Sequence, residues 1–160
     1  EKAFVEELLS ILARHGIPSY NFVVQLTEEA ILSDPATIEK QIRALHGQGI
    51  RISVDDFGTG YSSLARLNNL PLSILKIDKS FVANITSASS PAPIVRAVSQ
   101  LADSLGLTTV AEGIETQTQL EFLKTLGCRF GQGFYLYRPM PAEDIESLLN
   151  HPETHKKSAV

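Results

Sequence analysis

Residues 50–64 read Ile50-Arg51-Ile52-Ser53-Val54-Asp55-Asp56-Phe57-Gly58-Thr59-Gly60-Tyr61-Ser62-Ser63-Leu64. An apolar, β-branched run of the kind that forms strands passes directly into two adjacent carboxylates. The spacing predicts a strand over residues 50–54 that ends at Asp55-Asp56. The following loop has two glycines and three hydroxyl residues apart from tyrosine. Such a loop turns tightly, and neighbouring carboxylates at its start can bridge two metal ions. The plainer alternative is an Asx-type turn that caps the next helix.

The same transition recurs on both sides of this stretch. Short apolar runs are predicted as strands at residues 20–26, 74–77, 108–111 and 128–130. Helices are predicted from the chain start to His15-Gly16, from Asp34-Pro35 to His46-Gly47, and over residues 94–105, 117–126 and 142–149. A glycine just past a helix end takes the left-handed position that closes the helix, and proline fits a first turn. Leu70-Pro71 introduces the third strand. His15 and His46 sit at helix ends, where a cation complements the helix dipole, and need no further role. Five short strands alternating with helices imply parallel βαβ topology. Residues 87–93, rich in Ser and Pro, read as a surface loop before a helix, with a mobile lid as the alternative.

In parallel sheets and barrels the strand C-termini share one side, and ligand sites form there. That side receives Gln25, Asp55 and Asp56, Lys76, Glu112 and Gln132. Each taken singly is an ordinary polar strand end. Together, carboxylates, a lysine and two amides form the set that divalent-metal phosphate chemistry uses: hard oxygens for Mg²⁺ or Mn²⁺, and a cation for a phosphate oxygen or the attacking water.

The 160 residues, 43% of them hydrophobic, suffice for one core, and residues 1–150 are read as one unit followed by a polar tail, 151–160. A net charge of −4, with Lys156 and Lys157 as the one basic cluster, argues against a nucleic-acid surface. No run approaches the roughly 18 apolar residues of a membrane span, and no secretory segment opens the chain, so a cytoplasmic setting without membrane insertion is expected. The lone cysteine, Cys128, reads as a small buried side chain rather than a catalytic thiol. Glu1 is not a start methionine, and Phe4, Val5, Leu8, Leu9, Ile11 and Leu12 already follow helical spacing, which suggests that further sequence precedes it.

Four stretches resemble the EAL domain family of bacterial cyclic-di-GMP phosphodiesterases, in family order and spacing. They are the loop at 55–64, Lys76-Ile77-Asp78-Lys79-Ser80-Phe81-Val82, Ala111-Glu112-Gly113-Ile114-Glu115-Thr116 and Gly131-Gln132-Gly133-Phe134. The resemblance implies a TIM-like barrel that opens cyclic di-GMP to the linear dinucleotide with two divalent metals. It covers the chain to about residue 149. The family's Glu-Ala-Leu strand and a following metal-binding asparagine precede this region, so an incomplete barrel lacking its N-terminal strands is expected.

By resemblance, Asp55 and Asp56 are metal ligands, and Glu112 is a ligand or organiser of the metal-water site. Lys76 positions water or phosphate, Gln132 supports the nucleophile or the bound nucleotide, and Phe134 contacts the nucleotide. Glu28 and Glu115 match glutamates that hold the aspartate loop and communicate with a dimer partner. Gln25-Leu26-Thr27-Glu28 stands where active members carry Glu-x-Thr-Glu. A glutamine thus occupies a metal-ligand position without bringing charge to it. Two functions follow: a hydrolase, or a disabled domain that binds the nucleotide and signals to a protein partner. A barrel lyase or aldolase using Lys76 as a Schiff base ranks below both, because Asp78 follows closely.

Overall fold

A computed structural model describes residues 2–58, 67, 69–87 and 92–150 of the chain. The tail 151–160, residues 59–64 of the loop and residues 88–91 of the Ser-Pro stretch lie outside the described residues.

Five parallel strands form one sheet in sequence order: β1 (Val23–Thr27), β2 (Arg51–Phe57), β3 (Ile74–Ile77), β4 (Thr108–Ala111) and β5 (Phe130–Gly131). Helices fill the crossovers: α1 (Lys2–Arg14), α2 (Glu28–Ser33), α3 (Pro35–Gly47), α4 (Lys79–Val82), α5 (Pro93–Ser104), α6 (Gln117–Thr125) and α7 (Ala142–Asn150). This is the parallel βαβ order that the alternation of runs implied, in the partial barrel that the resemblance implied.

Strand alternation divides the sheet into two faces. Ile52 and Val54 of β2, Leu75 and Ile77 of β3, and Ala111 of β4 are fully buried. On the helix side Val54, Leu75, Ile77 and Ala111 meet Val95, Val98 and Ala102 of α5 and Phe122 and Leu123 of α6. A second cluster joins Leu12 of α1 to Ile42 and Leu45 of α3 over Ile50 and Ile52. Phe122, buried to 1% exposure under the Arg96 guanidinium at 4.9 Å, anchors the larger cluster. Truncating such a ring costs about 3–5 kcal/mol. The opposite face bears Gln25, Ser53, Asp55 and Lys76 on β1–β3, with Glu112 directly after β4.

Three boundaries differ from the sequence reading. The first strand begins at Val23, because Ser19–Asn21 after Pro18 forms a 3-10 turn in which Phe22 N donates to Ser19 O. The second strand runs on through Asp55-Asp56 to Phe57, with a shift in its pairing to β3 between Val54 and Phe57. Asp56 takes φ +53 there, the signature of a bulge that accommodates one extra residue. The last strand is Phe130–Gly131, two residues later than Cys128. Helix α2 was not foreseen; six residues are too few to show a helical period.

Candidate active site at the strand ends

Lys76, the third residue of β3, sits at the centre of the polar face, with 12% of its side chain exposed. Its Nζ donates to Gln25 Oε1 at 2.8 Å, lies 3.2 Å from Asp55 Oδ1 and is in contact with Glu112 Oε1. Gln25 Nε2 donates in turn to Asp55 Oδ2. Four strands thus deliver one connected cluster. The parallel register explains it: Gln25 pairs with Ser53 and Thr27 with Asp55, so β1 and β2 present their polar ends at adjoining levels. Lys76 pairs with Val110, two residues before Glu112.

Burial alone would lower the Lys76 pKa, but hydrogen bonds to Glu112 and Asp55, and their charges, outweigh it and hold the ammonium above the ordinary lysine value. The group is a fixed cation at neutral pH. A Schiff-base lysine needs the reverse, a depressed pKa and a neutral amine, which removes support from the lyase reading.

Glu28 opens α2 directly after β1 and is buried to 5% exposure. Its Oε2 accepts from Gly58 N at 3.1 Å, tying the start of α2 to the start of the loop after β2. Its Oε1 has no hydrogen-bond partner among the described residues. Thr27 caps α2, accepting from Ala30 N at 3.2 Å, and so fixes the backbone that carries Glu28. Asp78, just past β3, caps α4 through Ser80. Burial would raise its pKa, but the hydrogen bonds from Ser80 prevail and lower it.

The segments after β4 and β5 are clasped together. Gln132 N donates to Ala111 O at 2.8 Å, Ile114 N to Gln132 O at 3.1 Å and Tyr135 N to Ile114 O at 2.9 Å. Glu112 N donates to Ile77 O at 3.0 Å, which fixes its carboxylate beside β3. The clasp needs glycine at 133, where a Cβ would stand 2.2 Å from the Ile114 backbone. Gly133 lies inside the Gly131–Phe134 motif, but the sequence carries no sign of this requirement, because the contact is long-range and leaves no local signal.

Of the remaining expected site residues, Gln132 is exposed on the clasp. Phe134 is exposed with the Arg138 guanidinium 4.7 Å over its ring. Glu115 is exposed, and its backbone N–H donates to Gln119 Oε1 at 2.7 Å. Asp56 is half-buried at the bulge. Cys128 is only half-buried, less than foreseen; burial raises its thiol pKa, and its Sγ lies 3.3 Å from Phe130 O, consistent with an inert thiol.

The donor chemistry suits a hard divalent cation, since carboxylate oxygens of Asp55 and Glu112 and an amide oxygen of Gln25 converge on one ammonium. No group of three acidic, His or Cys side chains gathers closely enough to hold an ion among the described residues. The donor types match such an ion, while their present arrangement encloses the Lys76 ammonium. No helix among the described residues is long and apolar enough to cross a membrane.

Comparison with known proteins gives the same picture. The family model described as EAL domain matches residues 1–139. The bifunctional diguanylate cyclase/cyclic di-GMP phosphodiesterase MucR of Pseudomonas aeruginosa is 43% identical over 141 residues, which are 88% of this chain and 21% of that protein. The EAL domain of Mycobacterium smegmatis DcpA superimposes with TM-score 0.87 at 40% identity, covering 94% of this chain and 67% of that one. Klebsiella pneumoniae BlrP1, solved with manganese and cyclic di-GMP and also with calcium and cyclic di-GMP, gives TM-score 0.77 at 32% identity, covering 84% of this chain and 34% of that one. With the parallel partial barrel and its strand-end cluster, these matches establish that the chain belongs to the EAL domain family.

Proposed function

We propose that this chain supplies the C-terminal part of a cyclic-di-GMP phosphodiesterase site. The observation that carries the reading is the convergence of Asp55, Glu112 and Gln25 on Lys76 at the C-terminal ends of parallel strands. Relatives that hold manganese or calcium together with cyclic di-GMP support divalent-ion use. Mg²⁺ or Mn²⁺ suits these oxygens, with Asp55 and Glu112 as ligands from this chain and Asp56 at the adjoining bulge as a further one. When bound, such an ion would polarise a phosphoryl oxygen and lower the pKa of an attacking water.

The chain's own residues account for the rest. Lys76, kept protonated by two carboxylates, supplies a positive charge for a non-bridging phosphate oxygen or orients the water. Glu112, fixed by its backbone bond to β3, accepts a proton or orders the water beside Lys76. Gln132 and Phe134 rise from the clasp at the neighbouring edge. There an amide and an exposed ring suit a guanine base by hydrogen bonding and stacking. Glu28 holds the start of the β2 loop through Gly58 and so steadies the segment that follows the two aspartates.

The deciding experiment follows the conversion of cyclic di-GMP to its linear dinucleotide by a complete EAL barrel that contains this chain, with Mn²⁺ or Mg²⁺, alongside its Lys76→Ala and Glu112→Gln variants. The reading expects turnover that falls at least about 100-fold in either variant, the scale of a lost acid-base or electrostatic contribution. Tight nucleotide binding with no product would instead favour a receptor.

A further inference from the structure

The Gln25 amide lies in one orientation only. Its Nε2 donates to Asp55 Oδ2, and its Oε1 accepts from Lys76 Nζ at 2.8 Å. Turning the amide over would set its oxygen against the Asp55 carboxylate and its NH₂ against the Lys76 ammonium, replacing two charge-assisted hydrogen bonds with two repulsive contacts.

That orientation bears on metal binding. An amide has one oxygen to offer a cation, and at Gln25 that oxygen faces an ammonium. Its NH₂ engages one oxygen of Asp55, while the other oxygen faces Lys76 at 3.2 Å. A divalent ion that takes Asp55 Oδ2 therefore has to break a contact that Gln25 itself makes, whereas Oδ1, buried and without a hydrogen-bond partner among the described residues, is not held by Gln25. A carboxylate at position 25 would give up that hydrogen bond and add a negative charge beside Asp55, which the Lys76 ammonium offsets in part and a divalent ion would offset further.

We infer that Gln25 is a positioning residue, a bridge that ties Asp55 to Lys76 and competes with a divalent ion for Asp55, rather than a metal ligand. Residue 25 then sets the divalent affinity of the site. The inference rests on the reading above that a divalent ion binds Asp55 and Glu112.

The test measures Mn²⁺ binding by calorimetry to the full chain and to its Gln25→Ala and Gln25→Glu variants, without nucleotide, together with their melting temperatures with and without Mn²⁺. Gln25 is exposed, so both variants are expected to fold. A ligand and a competing bridge give opposite results in the alanine variant. Loss of a ligand weakens Mn²⁺ binding. Loss of the bridge tightens it, by about tenfold for one released charge-assisted hydrogen bond, and lowers the melting temperature of the metal-free protein while enlarging the rise produced by Mn²⁺. Gln25→Glu is expected to bind more tightly than either. Unchanged or weaker binding by Gln25→Ala, with Gln25→Glu still binding, overturns this inference alone. Failure of all three proteins to bind Mn²⁺ overturns the divalent-ion reading and this inference with it.

Discussion

Gly133 shows how a single residue can decide the geometry of a site it does not join. Its Cα lies so close to Ile114 that an added Cβ would come within 2.2 Å of Ile114 N and O, backbone atoms with no freedom to turn aside. Ile114 is itself buried to 1% exposure, and its Cδ1 fills the space above Gly131. Gly133→Ala must therefore part the segments after β4 and β5. Its cost should reach the upper end of overpacking, about 2–3 kcal/mol, read as a lower denaturant midpoint at constant m-value. A variant as stable as the parent would show that the clasp yields easily. The polar residues of the site were legible because strand-end carboxylates, amides and a lysine are unusual at five successive joints. Gly133 as a steric requirement was not, nor was the direction of the Gln25 amide, because each depends on atoms far away in sequence.

Elements were legible to the extent that their signals are local. Helix ends followed glycine: Gly16, Gly106 and Gly127 take φ between +65 and +74, a conformation in which other residues are strained. The start of β1 was misread because Tyr20 and Phe22 look like strand residues while Pro18 sets up a turn. The bulge at Asp56 was missed because two adjacent aspartates read as the end of a strand rather than its interior. Helix α6 opens with a capping box, Thr116 followed three residues later by Gln119. Thr116 Oγ1 accepts from Gln119 N at 3.2 Å, and Gln119 Oε1 accepts from both Thr116 N at 3.0 Å and Glu115 N at 2.7 Å. Gln119 is buried to 6% exposure, so its removal leaves two N–H groups short of a partner. Gln119→Ala should cost about 1–3 kcal/mol and Thr116→Ala about 1 kcal/mol. Because the two form one reciprocal box, the double variant should lose less than the sum of the single losses. Strict additivity in thermal or chemical melts would show that the two caps act independently.

For the whole molecule, the sheet is covered on one side by helices and carries its chemistry on the other, the division that strand alternation demands once apolar residues such as Leu75 and Ile77 are buried. The fold class was legible because four joints, at Gly16, Gly47, Gly106 and Gly127, repeat the same order of helix, glycine and strand. The curvature that brings Gln25, Asp55, Lys76 and Glu112 together was not, because register and twist are properties of paired strands. In this sheet β1 and β5 each pair on one side only among the described residues, and Phe130 on β5 is 54% exposed. A closed barrel removes such edges, whereas open ones offer unpaired N–H and C=O groups to any other strand. MucR and DcpA align over regions that this chain covers only in part, so in a longer polypeptide further strands can pair at these edges. The 160-residue polypeptide by itself is therefore expected to associate through β1 or β5. Sedimentation should give a mass that rises with concentration above the 17.5 kDa of one chain. A mass fixed at one chain across that range, with a single cooperative melt, would show that the edges are already protected. The strand-end cluster would then have to work in a half-open sheet, with bulk water screening Lys76 and weakening its hold on phosphate.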